Sequence, residues 1–199
     1  MHNDIADRAS SPTTTSWPFL HAHSLTIRPL QLSDVDLLVR FGLGLSSETR
    51  YQRFMGGGVR FTPELLEQLL NIDSDRDLAL VATVTLDGRE TPIGIARFAG
   101  LPDGGTAEIA VTVADAWHGC GIGRALLARL IELARERGLR ALVGDTLATN
   151  EPMIRLARSL GFTVRSHPDG AALKYLERDL GDEHSAFVGR SAPAADSEA

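Results

Sequence analysis

Apolar and polar positions change period several times along the chain, and each change predicts an element. Leu25-Thr26-Ile27-Arg28 alternates as a short strand does and stops at Pro29. Ser33-Asp34-Val35-Asp36 has N-cap chemistry with a carboxylate in the first turn, which predicts a helix to about Phe41. Residues 48–54 read as a short second helix closed by Gly56-Gly57-Gly58. Thr62-Pro63-Glu64 reads as the start of another, with Leu65, Leu66, Leu69 and Leu70 on one face. Three strands follow at 77–86, 93–99 and 106–113, joined by turns at Asp87-Gly88 and Pro102-Asp103-Gly104-Gly105 into an antiparallel meander. From Gly121 the period becomes helical, with Leu126, Leu127, Leu130, Ile131 and Ala134 in one stripe. Gly138, preceded by Arg135 and Arg137, ends that helix. A strand at 141–147, a helix at 151–160 stopped by Gly161, and a strand at 171–177 complete the pattern. The order β-α-α-β-β-β-α-β-α-β predicts an α/β fold, a mixed and mostly antiparallel sheet flanked by helices.

Composition narrows the function classes. At 199 residues, with 43% hydrophobic and 23% charged, the chain suits one folded unit. Residues 1–23 and 181–199 lack any burying period and are expected to be mobile, which leaves 24–180 as the domain. Trp17 and Phe19 are the residues of the first segment able to dock on it. The net charge is −6, of which the two ends carry −1 and −3, so the middle holds −2 with no basic block. Nucleic acid and anionic membranes are therefore not expected partners. No apolar run is long enough to span a bilayer, and residues 1–24 lack the basic start and apolar core of a secretory signal, so the expected location is the cytoplasm. Cys120 is the one cysteine, which excludes an internal disulfide and a multi-cysteine zinc site. Lys174 is the one lysine among twenty basic residues, an imbalance of the kind that genomic base composition produces.

The most informative stretch runs from Val111 to Leu127, where a strand passes through Gly119, Gly121 and Gly123 straight into the long helix. Glycines at alternate positions let main-chain N–H groups turn inward, and the helix N-terminus adds unpaired donors and the positive end of its dipole. Such a loop suits a pyrophosphate. It is not a P-loop, because Arg124-Ala125 stands where Lys-Ser/Thr is needed. It is not a dinucleotide fingerprint either, because Arg124 or Leu126 stands where the third glycine belongs. A plain tight turn is the competing reading, although one glycine would suffice for that.

Trp117-His-Gly-Cys-Gly-Ile-Gly-Arg-Ala-Leu-Leu127 resembles the acetyl-CoA motif of the GNAT N-acetyltransferases, commonly Q/R-x-x-G-x-G/A. Asn150-Glu-Pro-Met-Ile-Arg-Leu-Ala-Arg-Ser-Leu-Gly-Phe162 resembles their second signature, an asparagine followed by an amphipathic helix ending Leu-Gly-Phe. With the element order, the likeness covers about residues 25–178. A narrower likeness, through Ser46-Ser-Glu-Thr-Arg-Tyr-Gln-Arg-Phe54, Phe61-Thr62, Leu78-Ala-Leu-Val-Ala82, Gly94-Ile-Ala-Arg-Phe98 and Ala107-Glu-Ile-Ala-Val111, is to the catalytic domain of bacterial Pat-type protein lysine acetyltransferases. Those enzymes often carry a regulatory domain, for which this chain leaves no room; the expectation is an unregulated or differently regulated relative.

The resemblance implies acetyl-CoA as cosubstrate, no metal, and a primary amine as acceptor, a protein lysine before a small-molecule amine. Glu108 lies in an otherwise apolar strand where a carboxylate can take the ammonium proton directly or through water, and a glutamate at this motif position is the general base of the Pat type. A bland alternative is an edge carboxylate or a partner of Arg97. Along Ile109, Val111 and Val113 the main chain is expected to pair with the pantetheine arm and to donate an N–H to the thioester oxygen. His118, Gly119, Cys120, Gly121, Ile122, Gly123 and Arg124 are expected around the pyrophosphate. His118 replaces the usual glutamine or arginine and is a better phosphate donor when protonated. Cys120, where arginine is frequent, is expected to be shielded from alkylation by bound CoA. Asn150 suits either a pantetheine amide or the cap of its helix. Seven residues on, Ala157 stands where many relatives have a tyrosine that protonates the leaving sulfur; Tyr51 and Tyr175 are weak substitutes. Arg50, Tyr51 and Arg53, with Phe54, fall in the region that frames the acceptor. An acyl-CoA-binding sensor without activity is the rival from another class.

Overall fold

The computed structural model describes residues 13–15, 25–55 and 76–181. Strands β1 (Thr13–Thr15), β2 (Leu25–Pro29), β3 (Leu78–Leu86), β4 (Arg89–Gly100), β5 (Thr106–Val113), β6 (Ala141–Leu147), β7 (Thr163–His167) and β8 (Gly170–Asp179) form one sheet in the order β1-β2-β3-β4-β5-β6-β8-β7. Every neighbouring pair is antiparallel except β5 and β6, which run parallel. The helices are α1 (Val35–Gly44), α2 (Ser47–Phe54), α3 (Ile122–Glu136) and α4 (Glu151–Ser159). The helix expected from Thr62, the stop at Gly56, and the aromatics Trp17 and Phe19 lie outside the described residues, as does the tail beyond Gly181.

Two apolar clusters hold helices to opposite faces of the sheet. On one face α3 lays Leu126, Leu127, Leu130 and Ala134 against Leu80, Ala96 and Phe98. Fully burying each leucine contributes roughly 1.5–3 kcal/mol. On the other, Leu37 and Leu38 of α1 cover Ala79 and Val81. The stripe at i, i+1, i+4 and i+8 of α3 is the face read from the sequence. No helix among the described residues is long and apolar enough to cross a membrane.

Four local features differ from the expected ones. Thr13–Thr15, inside the segment expected to be loose, pairs with Leu25–Ile27. Asp34 does not cap with its side chain as an isolated N-cap would. A 3-10 turn, Leu32–Asp34, precedes α1, and the Asp34 carboxylate accepts from Gln31 N (2.8 Å) and from both terminal nitrogens of Arg28 (2.7 and 2.9 Å). α2 ends at Phe54 on a C-cap residue, Met55, that is itself left-handed (φ 51°) without being a glycine. Finally, β7 is a strand the pattern did not show: Thr163-Val-Arg-Ser-His is polar and largely exposed at the sheet edge, so it carries no apolar alternation.

Candidate active site

The site is made by two strands that part company. β5 and β6 pair only from Thr106–Ala141 to Glu108–Val143, although β5 continues to Val113 and β6 to Leu147. Gly144 keeps the strands close at the fork. A Cβ there would lie 3.0 Å from Ile109 Cγ1 and 3.2 Å from its carbonyl oxygen. Beyond it a cleft of about 610 Å³ opens, lined by Val111, Thr112 and Val113 on one side and by the first turn of α4 on the other. The edge that β5 presents to it follows from hydrogen-bond parity. Ala114 N donates to Ile93 O (2.9 Å) and Leu101 N to Thr106 O (2.8 Å), so the even-numbered residues of β5 pair with β4. The main-chain groups of Ile109, Val111 and Val113 point the other way, and past the fork those of Val111 and Val113 face the cleft.

The glycine loop closes the wide end. Asp115–Trp117 form a 3-10 turn, and then Gly119 (φ 74°) and Gly121 (φ 83°) take left-handed conformations that a side chain would strain. Gly123 has a different reason: a Cβ there would sit 3.3 Å from Leu156 Cδ2, so glycine seats α3 against α4. The first helical bond of α3 is Ala125 N to Gly121 O (3.0 Å). The amides of Gly119, Gly121, Ile122, Gly123 and Arg124 meet no acceptor among the described residues, while that of Cys120 donates to Trp117 O (3.4 Å). Five donors at a helix N-terminus fit a diphosphate. Ile122 has only its main chain to offer a ligand, because its side chain is buried in the core. Arg124 is exposed at the mouth.

The remaining cofactor-side residues are also placed. His118 Nε2 stands 2.9 Å from Val113 O. Donating there leaves Nδ1 as an acceptor, so the neutral ring has no N–H for a phosphate and only the imidazolium provides one. Cys120 is half-buried, with Sγ 3.7 Å from His118 O. Asn150 Oδ1 accepts from Met153 N (3.2 Å) and caps α4, which leaves its amide NH₂ for a ligand in the cleft. Ala157 is fully buried in the core and offers no proton donor.

On the acceptor side the structure separates residues that the sequence grouped. Arg53 lines both the cleft and a smaller cavity of about 40 Å³ under α1. Burial pushes its guanidinium down to about 10; the charge of Arg97 acts in the same direction and that of Glu108 opposes it. Its Cζ lies 4.9 Å from the centre of the Phe54 ring. Arg50 instead donates to Leu45 O (2.7 Å) and fastens the α1–α2 connection, and Tyr51 is 45% exposed; neither lines the cleft. Glu108 is exposed at the last β5–β6 pair, on the face that carries α1. Register puts Asp145 and Tyr175 on that same face, two positions further along. Burial pushes the Tyr175 phenol up, and the charges of Glu177 and Asp145 add to it.

One residue the sequence did not single out is Asp115. Its Oδ1 accepts from Ser46 Oγ (2.6 Å) and Thr49 Oγ1 (2.7 Å), and its Oδ2 from Ser46 N (2.9 Å). Burial alone would raise this carboxyl; the hydrogen bonds from Ser46 and Thr49 outweigh it and bring it down to about 2.

A mixed sheet forked between its one parallel pair, with a donor-lined glycine loop at the open end, defines an acyl-CoA-dependent transferase. The Acetyltransferase (GNAT) family profile matches residues 48–162, and the chain belongs to that family. It is 38% identical over 143 residues to the acetyltransferase PA5475 of Pseudomonas aeruginosa, covering 72% of this chain and 77% of that one. The GNAT domain of S. lividans PAT superposes with a TM-score of 0.74 at 26% identity, covering 84% of this chain and 96% of that domain. YncA from Salmonella typhimurium, solved with acetyl-CoA, superposes with a TM-score of 0.58 at 25% identity over 81% of this chain and 96% of its own. The protein is an N-acetyltransferase with acetyl-CoA as cosubstrate.

Proposed function

We propose that the protein transfers the acetyl group of acetyl-CoA to a protein lysine side chain in the cytoplasm, by direct attack in a ternary complex with Glu108 as general base. The observation that carries this is the fork itself. The main-chain edges of Val111 and Val113 face the cleft, and Glu108 marks the last residue pair before it opens. In the proposed step the neutral amine nitrogen bonds to the thioester carbonyl carbon, and Glu108, directly or through a water, takes the proton that the now positively charged nitrogen of the adduct sheds. The amide of Val111 or Val113 donates to the carbonyl oxygen as it gains charge. The C–S bond then breaks and the thiolate takes a proton from water, which recovers one from the protonated Glu108, since Ala157 supplies none. The likeness of the 46–54 and 107–111 segments to Pat-type enzymes, and the superposition on the S. lividans domain, support lysine as the acceptor.

A small amine bearing an acidic group is a second reading, and one observation favours it. Arg53 turns a partly dehydrated guanidinium toward the acceptor side, and no carboxylate is hydrogen-bonded to it among the described residues. A fork of donors of this kind matches a carboxylate. Incubation with acetyl-CoA and either a lysine-rich protein or free amino acids separates the readings. Acetylated lysines found by mass spectrometry support the first. Thiol release with amino acids alone supports the second. CoA binding with no transfer to any amine overturns both and leaves a sensor.

A further inference from the structure

Asp115 stands between the two halves of the site. Its own carbonyl accepts from His118 N (3.2 Å), at the entrance to the glycine loop. Its carboxylate holds Ser46 and Thr49, 69 and 66 residues earlier in the chain, at the N-terminus of α2. Ser46 in turn caps α2 by accepting from Thr49 N (3.1 Å). The helix so held carries Arg53, whose guanidinium feels the charges of Glu108 and Arg97. Two residues before Asp115, Val113 presents its main chain to the cleft. No other carboxylate among the described residues joins a helix of the acceptor face to the loop that meets the diphosphate.

We propose that Asp115 is a positioning residue that couples CoA binding to the acceptor wall: when the cleft is filled, residues 113–118 are held and, through the three hydrogen bonds of this carboxylate, so is the start of α2. The proposal rests on CoA occupying the cleft and does not depend on which amine is acetylated. Two facts make the tie suited to this work. It reaches Ser46 through both the main chain and the hydroxyl, which fixes the helix in direction as well as distance. It also uses a charged acceptor with three short bonds, stronger than those between neutral pairs. The alternative is a purely structural cap, and the molecule contains one for comparison. Asp103 accepts from Gly105 N, Thr106 N and Thr106 Oγ1 (3.1, 2.9 and 2.6 Å), all within its own turn and away from the cleft.

Hydrogen–deuterium exchange of the whole protein, with and without CoA, tests the coupling without an acceptor. In the unaltered protein, CoA should slow exchange of the α2 amides by about threefold or more, a change in local opening that peptide-level mass spectrometry resolves. Asp115→Ala should still bind CoA, within about threefold by calorimetry, but its α2 amides should no longer respond. Ser46→Ala, which removes one partner of the tie without altering a residue of the cleft, should diminish the same response and serves if the first variant does not fold. Asp103→Asn should lower stability and leave the response intact. CoA binding to the unaltered protein with no change in α2 would overturn the coupling alone. A response that persists in Asp115→Ala would do the same, and failure of CoA to bind at all would remove the cleft assignment with it.

Discussion

In the proposed reading the two sides of the fork would recognise their ligands by different means. On the cofactor side the contacts available are mostly main-chain ones: the edges of Val111 and Val113 and the amides of Gly119, Gly121, Ile122, Gly123 and Arg124, with the Asn150 side-chain amide beside them. On the acceptor side they are side chains, Glu108 and Arg53, carried by a strand and a helix that meet only through tertiary packing. Main-chain recognition constrains backbone conformation, and so it writes glycines into the sequence at fixed spacing. Side-chain recognition constrains only where a residue ends up, and leaves a far weaker trace.

The contrast is sharpest in what substitution should do. Glu108→Gln should lower kcat by about 10²–10⁴-fold, as loss of a general base does, while calorimetry shows unchanged CoA affinity. Equal loss of both would place Glu108 on the cofactor side and break the division. Gly121→Val should act in the opposite sense. A β-branched residue at φ 83° costs roughly 1–2 kcal/mol, which weakens CoA binding about tenfold and leaves kcat at saturating acetyl-CoA close to that of the parent. The smallest effect concerns the roof of the acceptor face, where Asp34 ties α1 to Arg28 of β2. The hydrogen bonds from Arg28 hold the Asp34 carboxyl below its ordinary value; burial partly opposes them and a bond from Gln31 N assists. Because the folded value lies below the unfolded one, near 4, the contribution to stability is complete at neutral pH and fades as the pH falls below about 4 through the folded value. Urea midpoints should show Asp34→Asn about 1 kcal/mol less stable at pH 7, with the gap closing in acid and no change in CoA affinity.

The same division explains what could be read before the fold was known. The long helix was legible because Leu126, Leu127, Leu130 and Ala134 all turn to one buried face. The loop was legible because Gly119 and Gly121 need left-handed backbone, although Gly123 answers to Leu156 rather than to a ligand. Arg50, Tyr51 and Arg53 could not be told apart by pattern: they are neighbours on a short polar helix, and only packing sends Arg53 inward and Arg50 to Leu45 O. Asp115 was not singled out because its partners are 66 and 69 residues away. β7 was missed because an exposed edge strand buries nothing that would make it alternate.

The fork also has a mechanical side. Among the described residues, strands β1 to β5 and strands β6 to β8 are joined across the sheet by three residue pairs, 106–141, 107–142 and 108–143. Two half-sheets are thus stitched at one end, and in the proposed reading the thioester arm would lie along the open remainder of the seam. A ligand held there would bridge the two halves, so its binding should stabilise the whole sheet, and that added stability should go with each release of product.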